Sequence, residues 1–153
     1  MANLKVGLAQ AVITPPVGFR LEGYRSRNQP STGILDDLYA KALVLDNGKE
    51  RLALVVCDLV GFGKGLVQDS RKRIKELTGI KEENIMITAT HTHTGPSLGF
   101  TGETYIENLK SQIAGAVYAA TNSMREARIG VGRGECLTGS NRRNPNSPHG
   151  PYF

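Results

Sequence analysis

The chain has 153 residues, 39% of them hydrophobic and 22% charged, and a formal net charge of +5. That length holds one ordinary domain with a hydrophobic core, and no run of about 18 apolar residues is present that could cross a bilayer as a helix. The positive charge is scattered and clusters only at Arg71-Lys72-Arg73 and Arg142-Arg143, which argues against a nucleic-acid binder, since such proteins gather charge on one face.

The start, Met1-Ala2-Asn3-Leu4-Lys5-Val6, does not lead into a long apolar segment, so no secretory signal is read there. The cytoplasm is the expected compartment, or the exterior if a signal has been removed. Cys57 and Cys136 make neither a Cys-x-x-Cys pair nor a disulfide framework, and Cys57, inside an apolar run, reads as a buried small hydrophobe.

In chain order, residues 5–14 suggest a first strand stopped by Pro15-Pro16, because proline cannot donate to a sheet ladder. Residues 17–33, rich in Gly, Arg, Asn, Pro and Ser, read as a long loop of the functional or mobile kind. Two strands, 38–45 and 52–57, are joined by Asp46-Asn47-Gly48-Lys49, where Asn-Gly tolerates the positive φ of a tight hairpin turn. After Asp58 and the turn Gly61-Phe62-Gly63-Lys64-Gly65 a helix follows. It carries Val67, Ile74 and Leu77 on one face, Arg71, Lys72 and Lys75 toward water, and Gly79 as its stop.

The continuous apolar run Ile85-Met86-Ile87-Thr88-Ala89 fits a strand covered on both faces. A second helix is signalled by Ile106, Leu109, Ile113, Val117 and Ala120, with Thr104 and Glu107 as a capping box. Residues 128–135, with three glycines, are expected to form a final strand, and residues 137–153 a loop-like tail. The order is βββαβαβ. We therefore expect an α/β fold with a layered mixed sheet, its last three strands linked by right-handed helical crossovers. The single domain, 1–153, ends without a closing element, as an amino-terminal fragment of a longer catalytic domain would.

In an open α/β sheet, ligands bind beyond the carboxyl ends of the parallel strands. His91 and His93 follow one such strand and Asp58 follows the preceding one. Alternate residues of extended backbone share a face, so the two imidazoles form a candidate metal site, and neutral imidazole is a common zinc ligand. Asp58 would orient an imidazole from behind the metal. From spacing alone, the histidines equally well only hydrogen-bond loop backbone. The Gly61–Gly65 turn fits neither the P-loop nor the dinucleotide fingerprint, and the chain is too short for a barrel hydrolase of about 250 residues.

An ordered set of motifs goes further. Gly7-Leu8-Ala9-Gln10-Ala11, Ile13-Thr14-Pro15-Pro16-Val17-Gly18, Gly23-Tyr24, Gly33-Ile34, Leu38-Tyr39-Ala40-Lys41-Ala42, Asp58-Leu59 and Thr90-His91-Thr92-His93-Thr94-Gly95-Pro96 occur in sequence. Together they resemble the amino-terminal part of the catalytic domain of the neutral/alkaline ceramidases and their bacterial relatives.

The resemblance implies a zinc hydrolase that cleaves the amide bond of an N-acyl sphingoid or related lipid-like substrate with metal-activated water. It makes His91 a zinc ligand, His93 a group beside the metal, and Arg142 of Asn141-Arg142 a substrate contact. The family's remaining ligands, a histidine, a glutamate and a tyrosine, come from regions beyond this chain; His149 and Tyr152 lie too early to replace them. Leu35-Asp36-Asp37 departs from the histidine-containing segment of true ceramidases, which points to a different amide or ester. The alternative is a non-catalytic binding domain on the same scaffold with an incomplete metal site.

Overall fold

The computed structural model describes residues 4–136. The strands are β1 (Lys5–Val12), β2 (Tyr39–Asp46), β3 (Arg51–Cys57), β4 (Ile85–Ala89) and a two-residue β5 (Arg125–Glu126), with helices α1 (Lys64–Thr78) and α2 (Glu103–Asn122). They form one five-stranded mixed sheet in the order β4-β3-β2-β1-β5. Strands β1, β2 and β3 run as an antiparallel meander, and β4 joins β3 in parallel through α1. The expected α/β architecture is therefore present, and the adjacency of β3 and β4 places the segments after Cys57 and Ala89 side by side.

The hairpin between β2 and β3 shows how local chemistry sets register. The Asp46 carboxylate accepts from Gly48 N, and the Asn47 side chain accepts from the amides of Lys49 and Glu50. Only Gly48 takes a positive φ, 81°, so Asn47 contributes its acceptor rather than a left-handed backbone.

One sheet face is packed by the helices. It presents Gly7, Ala9 and Ala11 from β1 opposite Val44, Ala42 and Ala40 from β2, and these small side chains let α2 lie close. A Cβ on Gly7 would fall 1.8 Å from the Ala120 carbonyl oxygen of that helix. Leu109, Ile113 and Val117 of α2 are fully buried against this face, each stabilising the fold by about 1.5–3 kcal/mol. Cys57 is also wholly buried, and burial, with Asp58 adding to it, pushes its thiol up to about 12. Tyr105 donates its hydroxyl to the Ile13 carbonyl at 2.6 Å and packs against Phe19, tying the end of β1 to α2. Between the helices, Lys110 donates to Asp69 and Glu107, and Arg73 pairs with Glu107.

Several local expectations are corrected. Residues 128–135 form no strand: β5 stops at Glu126 because its partner β1 begins at Lys5, and everything from residue 128 to 136 is exposed. The second helix is not a crossover between parallel neighbours. It traverses the sheet from the β4 edge to the β1 edge, and β5 runs antiparallel to β1. Helix α2 starts at Glu103 with Gly102 as its cap and no side-chain cap bond; Thr104 lies inside the helix and Glu107 is engaged by Lys110 and Arg73. Leu77 of α1 is exposed, and Ser70 with Ile74 forms the buried face instead. Strand β4 is covered on one face only, with Met86 54% exposed on the other.

Candidate active site

Past Ala89 the chain does not leave the sheet at once. Thr90 N donates to the Cys57 carbonyl and His91 N to the Leu59 carbonyl, both at 3.0 Å, so the segment still follows the one after β3. His91 then takes φ 63°, the one non-glycine positive φ among the described residues. The simple extended His-x-His geometry is thus replaced by a left-handed residue, a conformation that costs an L side chain roughly 1–2 kcal/mol and that clusters at functional sites. The His91 Nδ1 lies 2.7 Å from the Val60 carbonyl oxygen. A carbonyl can only accept, so Nδ1 carries a proton, and in the neutral imidazole the lone pair is then on Nε2.

His93 stands beside it, the two rings edge to face with centroids 5.0 Å apart. A wall built by residues 20–27 holds it. The Arg27 guanidinium donates to the His93 carbonyl at 2.7 Å and lies over the Tyr24 ring, and that ring meets the His93 ring edge-on. Gly23, at φ 109°, packs its Cα side directly on His93. The loop of residues 17–33 is fixed to the histidine loop by main-chain pairing of Glu22 with Gly95 and of Ser97 with Arg20. It is a second wall of the site rather than a free loop.

The residues of His91-Thr92-His93-Thr94 divide between two cavities. His91 and His93 open onto one of about 470 Å³, with Tyr24, Arg25, Arg27 and Phe100. Thr92 and Thr94 line another of about 660 Å³, together with Asp58, Leu21, Ile34 and Leu38.

Of the residues expected at the site, His91 and His93 are brought together, and Asp58 is near but oriented elsewhere. Its carboxylate accepts from Tyr39 N at 3.0 Å and pairs with Lys41 at 3.7 Å, because β2 runs beside β3 and offers an open amide there. The role of orienting an imidazole, expected of Asp58, is filled by the Val60 carbonyl. Arg142, like His149 and Tyr152, lies outside the described residues. Among the described residues no group of three or more His, Cys, Asp or Glu side chains is placed to hold a metal. The sequence reading gave no role to Val60, Arg27 or Tyr24; the Gly23-Tyr24 pair in a loop rich in arginine was the visible signal.

Known proteins place this chain in a family. Residues 4–149 match the family model described as neutral/alkaline non-lysosomal ceramidase, N-terminal. The chain belongs to the neutral/alkaline ceramidase family. It is 30% identical to a neutral ceramidase of Drosophila melanogaster over 95% of its own length and 23% of the relative's. Against a neutral ceramidase of Mycobacterium tuberculosis the identity is 33% over 64% of this chain and 16% of that one. The crystal structure of neutral ceramidase from Pseudomonas aeruginosa superposes with a TM-score of 0.73 at 25% identity, covering 82% of this chain and 22% of that one. The ceramidase-family chain thus spans less than a quarter of these relatives' length, and the matched part contains both cavities and the histidine loop.

Proposed function

We propose that this chain carries part of the active site of a zinc-dependent hydrolase that cleaves an amide bond in an N-acyl, lipid-like substrate. The observation that carries the reading is the His91 imidazole. Its Nδ1 proton is committed to Val60 and its Nε2 lone pair is left for a cation at a cavity, within a ceramidase-family chain. A backbone carbonyl behind the imidazole is a familiar way of fixing the tautomer of a metal-bound histidine. The residues fit zinc in part: His91 would hold it, and since no group of three or more His, Cys, Asp or Glu is placed to do so among the described residues, further ligands would have to come from elsewhere. Zinc supplies Lewis acidity for hydrolysis at neutral pH.

The chain's own residues supply orientation. His93, fixed by Arg27 and Tyr24, presents its ring beside His91, where it accepts or donates a hydrogen bond to the scissile group. Arg142 is assigned a contact with the polar part of the substrate. The neighbouring cavity, with Leu21, Ile34 and Leu38 in its lining, takes apolar substrate surface. Asp58 holds the ends of β2 and β3 at the mouth of that cavity.

Zinc content and zinc affinity, measured on this chain and on a longer product of its reading frame, test the reading. The longer product should bind about one zinc at catalytic-site affinity, lose it with His91→Ala, and hydrolyse N-acyl amines in a zinc-dependent way. If neither protein binds zinc, the binding-domain alternative replaces the hydrolase.

A further inference from the structure

The cavity that holds the two histidines is cationic, and its neighbour is acidic. Arg20, Arg25 and Arg27 line the first, three guanidinium groups against the single carboxylate of Glu22. Asp36, Asp37 and Asp58 line the second, against Arg27 alone. The three arginines lie outside the basic runs of the sequence and are gathered by the folding of residues 20–27 onto the histidine loop. Elsewhere the chain pairs its cations: Lys41, Arg51, Arg73, Lys75 and Lys110 each meet a carboxylate. Among the described residues none of the cavity arginines does. Arg20 lies over the Phe100 ring, 4.5 Å from its centroid, and Arg27 over the Tyr24 ring at 4.8 Å. Stacking engages the flat face of a guanidinium and leaves its N–H donors, which lie in the plane, at the edge. Arg27 gives one of these donors to the His93 carbonyl, whereas the side chains of Arg20 and Arg25 meet no acceptor among the described residues.

We infer that this cavity binds an oxyanion carried by the amine part of the substrate, so that the compound cleaved is an acidic N-acyl amine such as an N-acyl amino acid, with Arg20 and Arg25 setting the preference. The inference rests on the reading of the histidine cavity as the place of the scissile amide. Guanidinium donors form a planar fork that matches a carboxylate, and charge-assisted hydrogen bonds of this kind are the strong ones. The cavity of about 470 Å³ has room for a small acidic amine beside His91 and His93. The acyl chain then enters the neighbouring cavity, along Leu21, Ile34 and Leu38. The opposite placement is disfavoured by charge, because it would set the oxyanion against Asp36, Asp37 and Asp58. A neutral amine part, in contrast, would leave the donors of Arg20 and Arg25 without an acceptor.

The test titrates the 153-residue chain, without zinc, with N-octanoylglycine, N-octanoylethanolamine and octanoate, following the resonances of Tyr24, His91 and His93 by NMR. N-octanoylglycine should bind about three- to ten-fold more tightly than the neutral ethanolamide. That ratio should shrink as salt is raised to physiological strength, where the screening length is about 8 Å. Arg20→Gln and Arg25→Gln should each lower the ratio, while Lys72→Gln, at an exposed position of α1, should not; circular dichroism checks the fold of each variant. Equal affinity for the two amides overturns the inference, and so does a ratio that neither arginine variant changes. Octanoate binding as tightly as N-octanoylglycine, with the same shifts, overturns it in favour of a site for a fatty-acid product. Absence of shifts at these resonances with every probe overturns it together with the assignment of the cavity to substrate, whereas zinc bound by the longer product alongside equal affinity for the two amides overturns the acidic substrate alone.

Discussion

Gly23→Ala is the sharpest probe of how the histidine loop is held. A Cβ at Gly23 would lie 2.4 Å from His93 Cγ, 2.5 Å from its Cβ and 2.6 Å from its Cα, so turning the imidazole cannot relieve the clash. The backbone at φ 109° is itself unfavourable for alanine. Forcing an L residue to positive φ costs roughly 1–2 kcal/mol, and overpacking a filled site costs a further 1–3 kcal/mol or so. For a domain of this size each kcal/mol lowers Tm by about 2–4 °C, giving an expected fall of roughly 4–20 °C. Relief would come from retreat of residues 20–27, which would carry Arg27 and Tyr24 off His93. Calorimetry reads the first effect and the His93 ring resonances, by NMR, the second. Gly33→Ala is the control, with open space around its Cβ and an ordinary φ. Unchanged Tm together with unchanged His93 resonances in Gly23→Ala would refute the argument that this glycine sets the histidine wall.

Two further predictions concern the scaffold. Gly7→Ala sets a Cβ against the Ala120 carbonyl on the rigid backbone of α2, so it should destabilise the chain by at least about 3 kcal/mol or leave it insoluble; denaturant unfolding reads this, and a neutral result would mean that α2 is not seated on β1 as described. Lys110→Met removes the donor that holds Asp69 and Glu107 below their usual carboxylate range, chiefly by hydrogen bonding. Depressed carboxyl pKa values stabilise the fold above the unfolded range, about pH 4, and that contribution is lost as pH falls through the lowered values. The Tm gap between native chain and Lys110→Met should therefore be open at pH 6 or so and close toward about pH 2, whereas a gap independent of pH would point to lost packing alone.

Much of the scaffold was legible along the chain because its signals are local. Apolar runs bounded by Pro15-Pro16 and by the Asn47-Gly48 turn marked β1 to β3, Gly48 and Gly79 marked a turn and a helix end through the positive φ they adopt, and the spacing of Leu109, Ile113 and Val117 marked the buried stripe of α2. The histidine motif was legible for the same reason, being contiguous residues at a strand's carboxyl end. The short β5 was not, since its position depends on where β1 begins, a non-local fact. Three glycines in residues 128–135 offered no side chains to pack into a strand.

The sequence by itself determined the layered α/β composition, the pairing of His91 with His93 at one end of the sheet, and the family. Tertiary structure decided what each group faces. Val60, and not Asp58, holds the His91 proton because the chain after β3 turns its carbonyl toward the ring, while Asp58 meets an open amide of β2. Arg27 and Tyr24 reach His93 across more than sixty residues of chain because residues 17–33 fold back onto the histidine loop. Which of the two faces the helices cover was fixed only in three dimensions, where Gly7, Ala9 and Ala11 of β1 let α2 approach one side and leave Leu8 of the same strand on the other.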